Sequence, residues 1–220
     1  RVDVTITIAE GKAAKIKHLN VVGNTTFTDD EIRDGFELDT TNWLSWYRRD
    51  DQYSREKLSG DLEKLRAFYL DRGYVDFDVE STQVSVSPDR RNVYITANVS
   101  EGEIYTVGDV RLTGKFIVDE STLQRLVMFK SGETFSRKKL EQTSEYIQKL
   151  LGNFGYAFAN VSPIPNVDRE KRIVDITMLV DPGKRVYVRR INFEGNTKTL
   201  DEVLRREMRQ FEGSWYNQAA

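Results

Sequence analysis

The sequence predicts an α+β fold of tandem modules, each ordered β-α-α-β-β, with a three-stranded mixed sheet covered on one face by two helices. Three repeated landmarks predict it. Glycines stand twelve residues apart three times, at Gly11 and Gly23, Gly102 and Gly114, and Gly183 and Gly195. A Gly-Tyr pair occurs at Gly73-Tyr74 and Gly155-Tyr156, 29 and 28 residues before the first glycine of the following module. An alternating apolar segment closes each module: Val2, Val4, Ile6 and Ile8, then Val93, Ile95, Ala97 and Val99, then Val174, Ile176, Met178 and Val180.

The elements follow in order. Leu19 and Val21, Val110 and Leu112, and Ile191 and Phe193 are two apart, the strand period, which places strand one at roughly 15–22, 105–113 and 186–194. Helix one starts near Thr28, where Thr28-Asp-Asp-Glu31 reads as a capping box. Its apolar face carries Ile32 and Phe36, matched by Leu123 and Val127 and by Leu204 and Met208. Asp29, Asp30 and Glu31 complement the helix dipole there, a simpler role than binding a cation. Helix two runs from Ser54 to about Arg72 and from Ser136 to about Phe154, each closed by a glycine. Its stripe is Leu58, Leu62, Leu65 and Tyr69, then Leu140, Ile147 and Leu151.

Strands two and three form a hairpin, with turn chemistry at Ser87–Asn92 and Pro165–Lys171. Strand three alternates cleanly and lacks proline, so it belongs in the centre of the sheet. Pro163 and Pro165 put strand two of the second module at an edge, because proline cannot donate to a ladder. The expected organisation is the last strand of a preceding module at 1–11, complete modules at 13–101 and 103–182, and a partial module at 184–220. A chain that opens on an alternating strand is expected to be a piece of a longer protein.

Composition narrows the function. A net charge of −2 argues against nucleic acid or an anionic membrane as a bulk electrostatic partner. Cysteine is absent, so there is neither a disulfide framework nor a thiolate metal site. His18 is the single histidine, placed on strand one among Lys15 and Lys17 as a surface residue. No glycine-rich phosphate loop opens a helix, and no His, Asp and Glu set has metal-ligand spacing. The reading is a non-catalytic protein with no cofactor and no small-molecule substrate.

Three features suit partners. In strand two of the first module, Val75, Phe77 and Val79 share one phase, and Val84 and Val86 carry on in the opposite one. That change of phase predicts a β-bulge near Glu80-Ser81-Thr82. Beyond it, Gln83, Ser85 and Ser87 include neither the Lys nor the Pro that usually guards an edge. Such an edge either accepts an added strand or twists away as a short, inert edge. Trp43, Leu44, Trp46 and Tyr47 either cover their own module's small core or form a docking patch. The last helix, 201–210, clusters Arg205, Arg206 and Arg209 with Glu207 and Glu212, either as a solvated face or as a charged docking surface.

The β-α-α-β-β order, the three strands ending in Gly-Asn or Gly-Lys, and the Gly-Tyr pair resemble POTRA modules. Tyr69-Leu-Asp-Arg-Gly-Tyr74 and Ser81-Thr-Gln-Val-Ser85 are similar to the third module of the BamA family. Val188-Arg-Arg-Ile-Asn-Phe-Glu-Gly-Asn196 and Val203-Leu-Arg-Arg-Glu-Met-Arg-Gln210 resemble its last. The likeness spans the whole chain, with different side chains in the Trp43–Tyr47 segment. It implies the end of module two, modules three and four, and the start of five. It implies a periplasmic arm of an outer-membrane protein of a Gram-negative bacterium, whose membrane barrel is not in this chain. It further implies unfolded outer-membrane protein precursors as clients and accessory lipoproteins as partners. A BamB-like partner falls on Glu80, Ser81, Thr82, Gln83, Val84, Ser85 and Val86, and a BamD-like partner on Arg205, Arg206, Arg209 and Glu212. The other reading is the POTRA arm of a two-partner secretion or TamA-like transporter.

Overall fold

The computed structural model describes residues 15–34, 36–38 and 54–219. The strand expected at 1–11 and the Trp43–Tyr47 segment lie outside them. The chain divides into two compact units, Arg1–Glu103 and Ile104–Ala220.

In the first unit, strand β1 (Lys15–Val22) leads to a single helical turn, α1 (Asp29–Arg33), then to the long helix α2 (Arg55–Leu70) and the hairpin β2 (Asp78–Val86) and β3 (Asn92–Ser100). The sheet order is β1-β3-β2, so the third strand is central as the alternation predicts. β1 runs parallel to β3 and β2 runs antiparallel to it. α1 opens on the expected capping box, with Thr28 and Glu31 each satisfying the other's backbone amide. Ser54 caps α2 by accepting the Lys57 amide.

The buried faces meet in one layer. Ile16, Leu19, Leu38, Leu58, Val93 and Ile95 pack together at one end. Val21, Ile32, Leu65, Tyr69, Tyr74, Phe77 and Val99 pack at the other, and Phe36 and Leu62 touch both groups. Burying each large side chain contributes about 1.5–3 kcal/mol. Tyr69 lies parallel to Phe77 with ring centroids 4.1 Å apart, and Tyr74 meets it edge-on at 5.5 Å. The tyrosine of the Gly-Tyr landmark is therefore a core residue.

The second unit repeats the pattern. β4 (Thr106–Gly114), α3 (Glu120–Gln124), α4 (Arg137–Asn153), β5 (Asn160–Asp168) and β6 (Ile173–Asp181) give the sheet order β4-β6-β5. Its core includes Leu123, Ile147, Leu151, Val174, Ile176 and Met178, all at most 1% exposed. A final short helix, α5 (Asp201–Glu207), follows.

In the two complete modules, the second glycine of the twelve-residue pair has a common cause. Gly23 and Gly114 stand at φ 101° and 111°. A Cβ on either would lie 2.1 Å from the carbonyl oxygen of Val99 or Val180 on the central strand. No side chain fits where strand one leaves the sheet.

Four expectations are corrected. Helix one is a single turn in both complete modules, so Phe36 and Val127 lie beyond it. The cause is tertiary. The Asp61 carboxylate on α2 accepts the amides of Glu37 and Leu38 at 2.7 and 2.8 Å. At the matching position on α4, Thr143 Oγ1 accepts the Met128 amide at 3.2 Å. These amides go to the second helix, and helix one stops. The second hairpin turn is shorter than Pro165–Lys171, because β5 stays paired through Asp168 opposite Ile173. The segment 186–194 forms no strand; it keeps one antiparallel bridge, Tyr187 to Trp215. That bridge repeats the Thr106 to Thr134 bridge of the preceding module. Finally, α5 ends at Glu207, so Met208 and Arg209 lie past it.

Candidate partner-binding surfaces

The edge strand β2 has the bulge its valines predict. Val79 pairs with Val99, Ser81 with Asn98, and Glu80 is the extra residue between them. Beyond it, Thr82 faces Ala97, Val84 faces Ile95 and Val86 faces Val93. Directly paired residues share a face, so the bulge returns Thr82, Val84 and Val86 to the core side after the break in phase. They nevertheless reach past the cover of the helices: Val84 is 39% and Val86 53% exposed. On the other face, Ser81 Oγ accepts from Asn98 Nδ2 at 2.8 Å, and Gln83 and Ser85 lie opposite Thr96 and Tyr94. All seven residues from Glu80 to Val86 are exposed.

The second module's edge is built differently. Pro163 pairs with Met178 and Pro165 with Ile176 on β6. Through the repeat, Met178 and Ile176 match Ala97 and Ile95, so the two prolines hold the places of Thr82 and Val84. Proline has no amide hydrogen, yet β5 stays in register with β6 throughout. The nitrogens of Pro163 and Pro165 therefore face away from the sheet. The free edge of β5 lacks two donors that β2 has at the same places.

The charged cluster after β6 is partly closed on itself. Arg205 donates from Nε to Asp201 Oδ2 at 2.7 Å, from one terminal nitrogen to Glu212 Oε1 at 2.9 Å, and from the other to the Ile191 carbonyl at 2.8 Å. Glu212 Oε1 also accepts the Ile191 amide at 2.8 Å. That amide and the Arg205 guanidinium hold the Glu212 carboxyl below the usual glutamate range. Of the four residues singled out in the sequence, Arg205 and Glu212 are thus brought together. Arg206 pairs with Glu207 at 3.5 Å on the exposed surface, and Arg209 is exposed beyond the helix. The repeat puts Gln124 and Ser131 where Arg205 and Glu212 stand, so this ion pair has no counterpart in the second module.

Sequence reasoning named Ile191 and Met208 as core-facing positions and missed that they open beside that pair together with Phe211. Ile191, Met208 and Phe211 line a depression of about 230 Å³ with Arg205, Gln210 and Glu212. Phe211 is 65% exposed and Trp215 49%. Arg185 lies over the Trp215 ring at 4.3 Å. His18 stacks on Tyr94 at the exposed face of the sheet, with ring centroids 5.6 Å apart. Among the described residues no group of three His, Asp or Glu could hold a metal ion, and no helix is long and apolar enough to cross a membrane.

Two sheets of this topology, joined in tandem and followed by the opening of a third copy, define a repeat protein of the POTRA class. The POTRA family model, described as surface antigen variable number repeat, matches residues 14–102, 105–183 and 186–220, and the chain belongs to that family. Within it, the modules are of the BamA type. The chain is 34% identical over 218 residues to the outer membrane protein assembly factor BamA of Neisseria meningitidis serogroup B, covering 99% of this chain and 27% of that protein. It is 32% identical to BamA of Buchnera aphidicola over 98% of this chain and 35% of that one. It thus spans about a quarter to a third of these curated relatives. The crystal structure of Haemophilus influenzae BamA POTRA3-5 superposes with a TM-score of 0.77 at 30% identity, covering 94% of this chain and 82% of that one.

Proposed function

We propose that this chain is a non-catalytic periplasmic scaffold of the outer-membrane β-barrel assembly machinery. It holds accessory lipoproteins and guides unfolded outer-membrane protein precursors by β-augmentation, an extended segment adding to the sheet through main-chain hydrogen bonds. One observation carries the reading: the first module offers an open edge, β2, where the second module places Pro163 and Pro165. A BamB-like lipoprotein adds at Glu80–Val86, and a BamD-like lipoprotein docks against Arg205, Arg206, Arg209 and Glu212. The names and architecture of the BamA relatives support this over a two-partner secretion or TamA-like arm.

The test is to move the second module's guard into the first. Thr82→Pro with Val84→Pro removes two outward donors at places where β5 tolerates proline. Pull-down of a BamB-type lipoprotein is expected to fall at least tenfold, with the circular dichroism spectrum of the variant unchanged. Undiminished capture by a folded variant overturns the edge-strand reading.

A further inference from the structure

Glu101 ends the central sheet segment of the first module and is 8% exposed. Four donors converge on its carboxylate. Thr25 Oγ1 donates at 2.6 Å, the Thr26 amide at 3.2 Å, Thr26 Oγ1 at 3.0 Å and the Tyr69 hydroxyl at 2.8 Å. The donors come from the loop after β1 and from the helix α2, and with Glu101 at the end of β3 they join three places. Among the described residues, no cation forms an ion pair with Glu101. A near-buried carboxylate served only by neutral donors is satisfied as long as it stays an acceptor at both oxygens.

The internal repeat supplies a comparison. Thr25, Thr26, Tyr69 and Glu101 match Phe116, Ile117, Leu151 and Pro182 in the second module. Each polar member has an apolar counterpart, and Pro182 is buried as Glu101 is. The same junction of strand three, first loop and second helix thus carries hydrogen bonds to a charge in one module and only apolar side chains in the next, where Phe116 and Ile117 are exposed.

We propose that Glu101 is a pH-sensitive latch. In its ionised form it ties the end of β3 to the Thr25-Thr26 loop and to α2; protonation removes the charge that strengthens these bonds and leaves the Thr26 amide, which can only donate, with a weaker acceptor, and so releases the loop. The second module has no titratable group at these places and does not respond. The titratable neighbours of the latch are Tyr69 and Tyr74, Asp29 facing Tyr69, and Asp76 packed against Gly102. Burial pushes the Glu101 carboxyl up, and the bonds from Thr25, the Thr26 amide, Tyr69 and the Thr26 hydroxyl together outweigh it and hold the group below its ordinary value. A group depressed in the folded state contributes stability above its unfolded pKa, and that stability is lost as pH falls through the folded value. The release therefore comes below the ordinary glutamate pKa of about 4.3.

The test is amide exchange by NMR on the chain, read at Thr26 and, as an internal reference, at Ile117. Losing a hydrogen bond to a charged group is expected to speed Thr26 exchange by about tenfold or more. In Glu101→Gln this acceleration appears at neutral pH, and further acidification adds nothing specific at Thr26; Ile117 follows the second module throughout. Tyr69→Phe keeps the ring stack on Phe77, removes one donor, and shifts the Thr26 transition to higher pH. Equal Thr26 protection in the parent and Glu101→Gln at neutral pH, or an unmoved transition in Tyr69→Phe, overturns the latch.

Discussion

The Asp61 carboxylate accepts the Leu38 amide at 2.8 Å across 23 residues of sequence, with both residues buried. It takes the Glu37 amide as well and is met by Lys64 Nζ at 3.3 Å. One buried acid thus ends the first helix and fixes it to the second.

Removing that acid strands two amides. Asp61→Ala is expected to destabilise the first module by about 2–4 kcal/mol, since each bond to a charged acceptor contributes about 1.5–3 kcal/mol and not fully independently. Thr143→Val in the second module removes two neutral bonds, one accepted from the Met128 amide and one donated to the Lys139 carbonyl, and strands only one amide, so it should cost about 1–2 kcal/mol. Urea titration of each variant measures the difference, and equal effects would contradict the account.

Two glycines should answer oppositely to alanine. Gly60 lies within α2, and a Cβ added there would meet nothing within 4 Å, so Gly60→Ala should stabilise by about 0.5–1 kcal/mol. Gly23→Ala forces a methyl against the Val99 carbonyl at positive φ and should cost more than about 2 kcal/mol. Thermal melts decide both.

Glu212 and Arg206 separate a structural from a surface role. Glu212→Lys removes the acceptor of the Ile191 amide and repels Arg205, so it should weaken capture of a BamD-type lipoprotein and also broaden the Ile191 resonance. Arg206→Glu lies outside that network. Weaker capture with an unchanged Ile191 resonance is expected, and normal capture by both variants counts against the dock.

The same pair sets a pH dependence. Because the Glu212 carboxyl is held below its ordinary value by the Ile191 amide and by Arg205, it stays ionised from pH 8 to pH 5. Binding through this surface should be flat over that range at constant salt, and fall only below the ordinary glutamate pKa of about 4.3. Surface plasmon resonance at stepped pH tests it; a midpoint near 6 would be incompatible.

Much of the architecture is written in local pattern. The β2 bulge shows in sequence because a period-2 strand changes phase between Val79 and Val84, and one extra residue is the way to keep both on the core side. The central place of strand three and the edge place of β5 follow from alternation and proline. The length of helix one was not legible, because its stop lies in Asp61 and Thr143, on another helix. Arg205 and Glu212 were visible as charges on a helical stretch. Their mutual bond was not, since it depends on the chain beyond α5 turning back so that Glu212 reaches both Arg205 and the Ile191 amide. Glu101 drew no notice for a similar reason: its four donors are scattered over Thr25, Thr26 and Tyr69.

The contrast between Thr82 and Val84 on one edge and Pro163 and Pro165 on the other has a consequence for how copies of the chain meet. Among the described residues, the two second strands offer one open edge and one closed edge for strand addition. Two molecules joined β2 to β2 use up both open edges, and β5 offers no site for a third. On the edge-strand reading, association through the second strands of these two modules terminates at a pair and does not propagate a ladder.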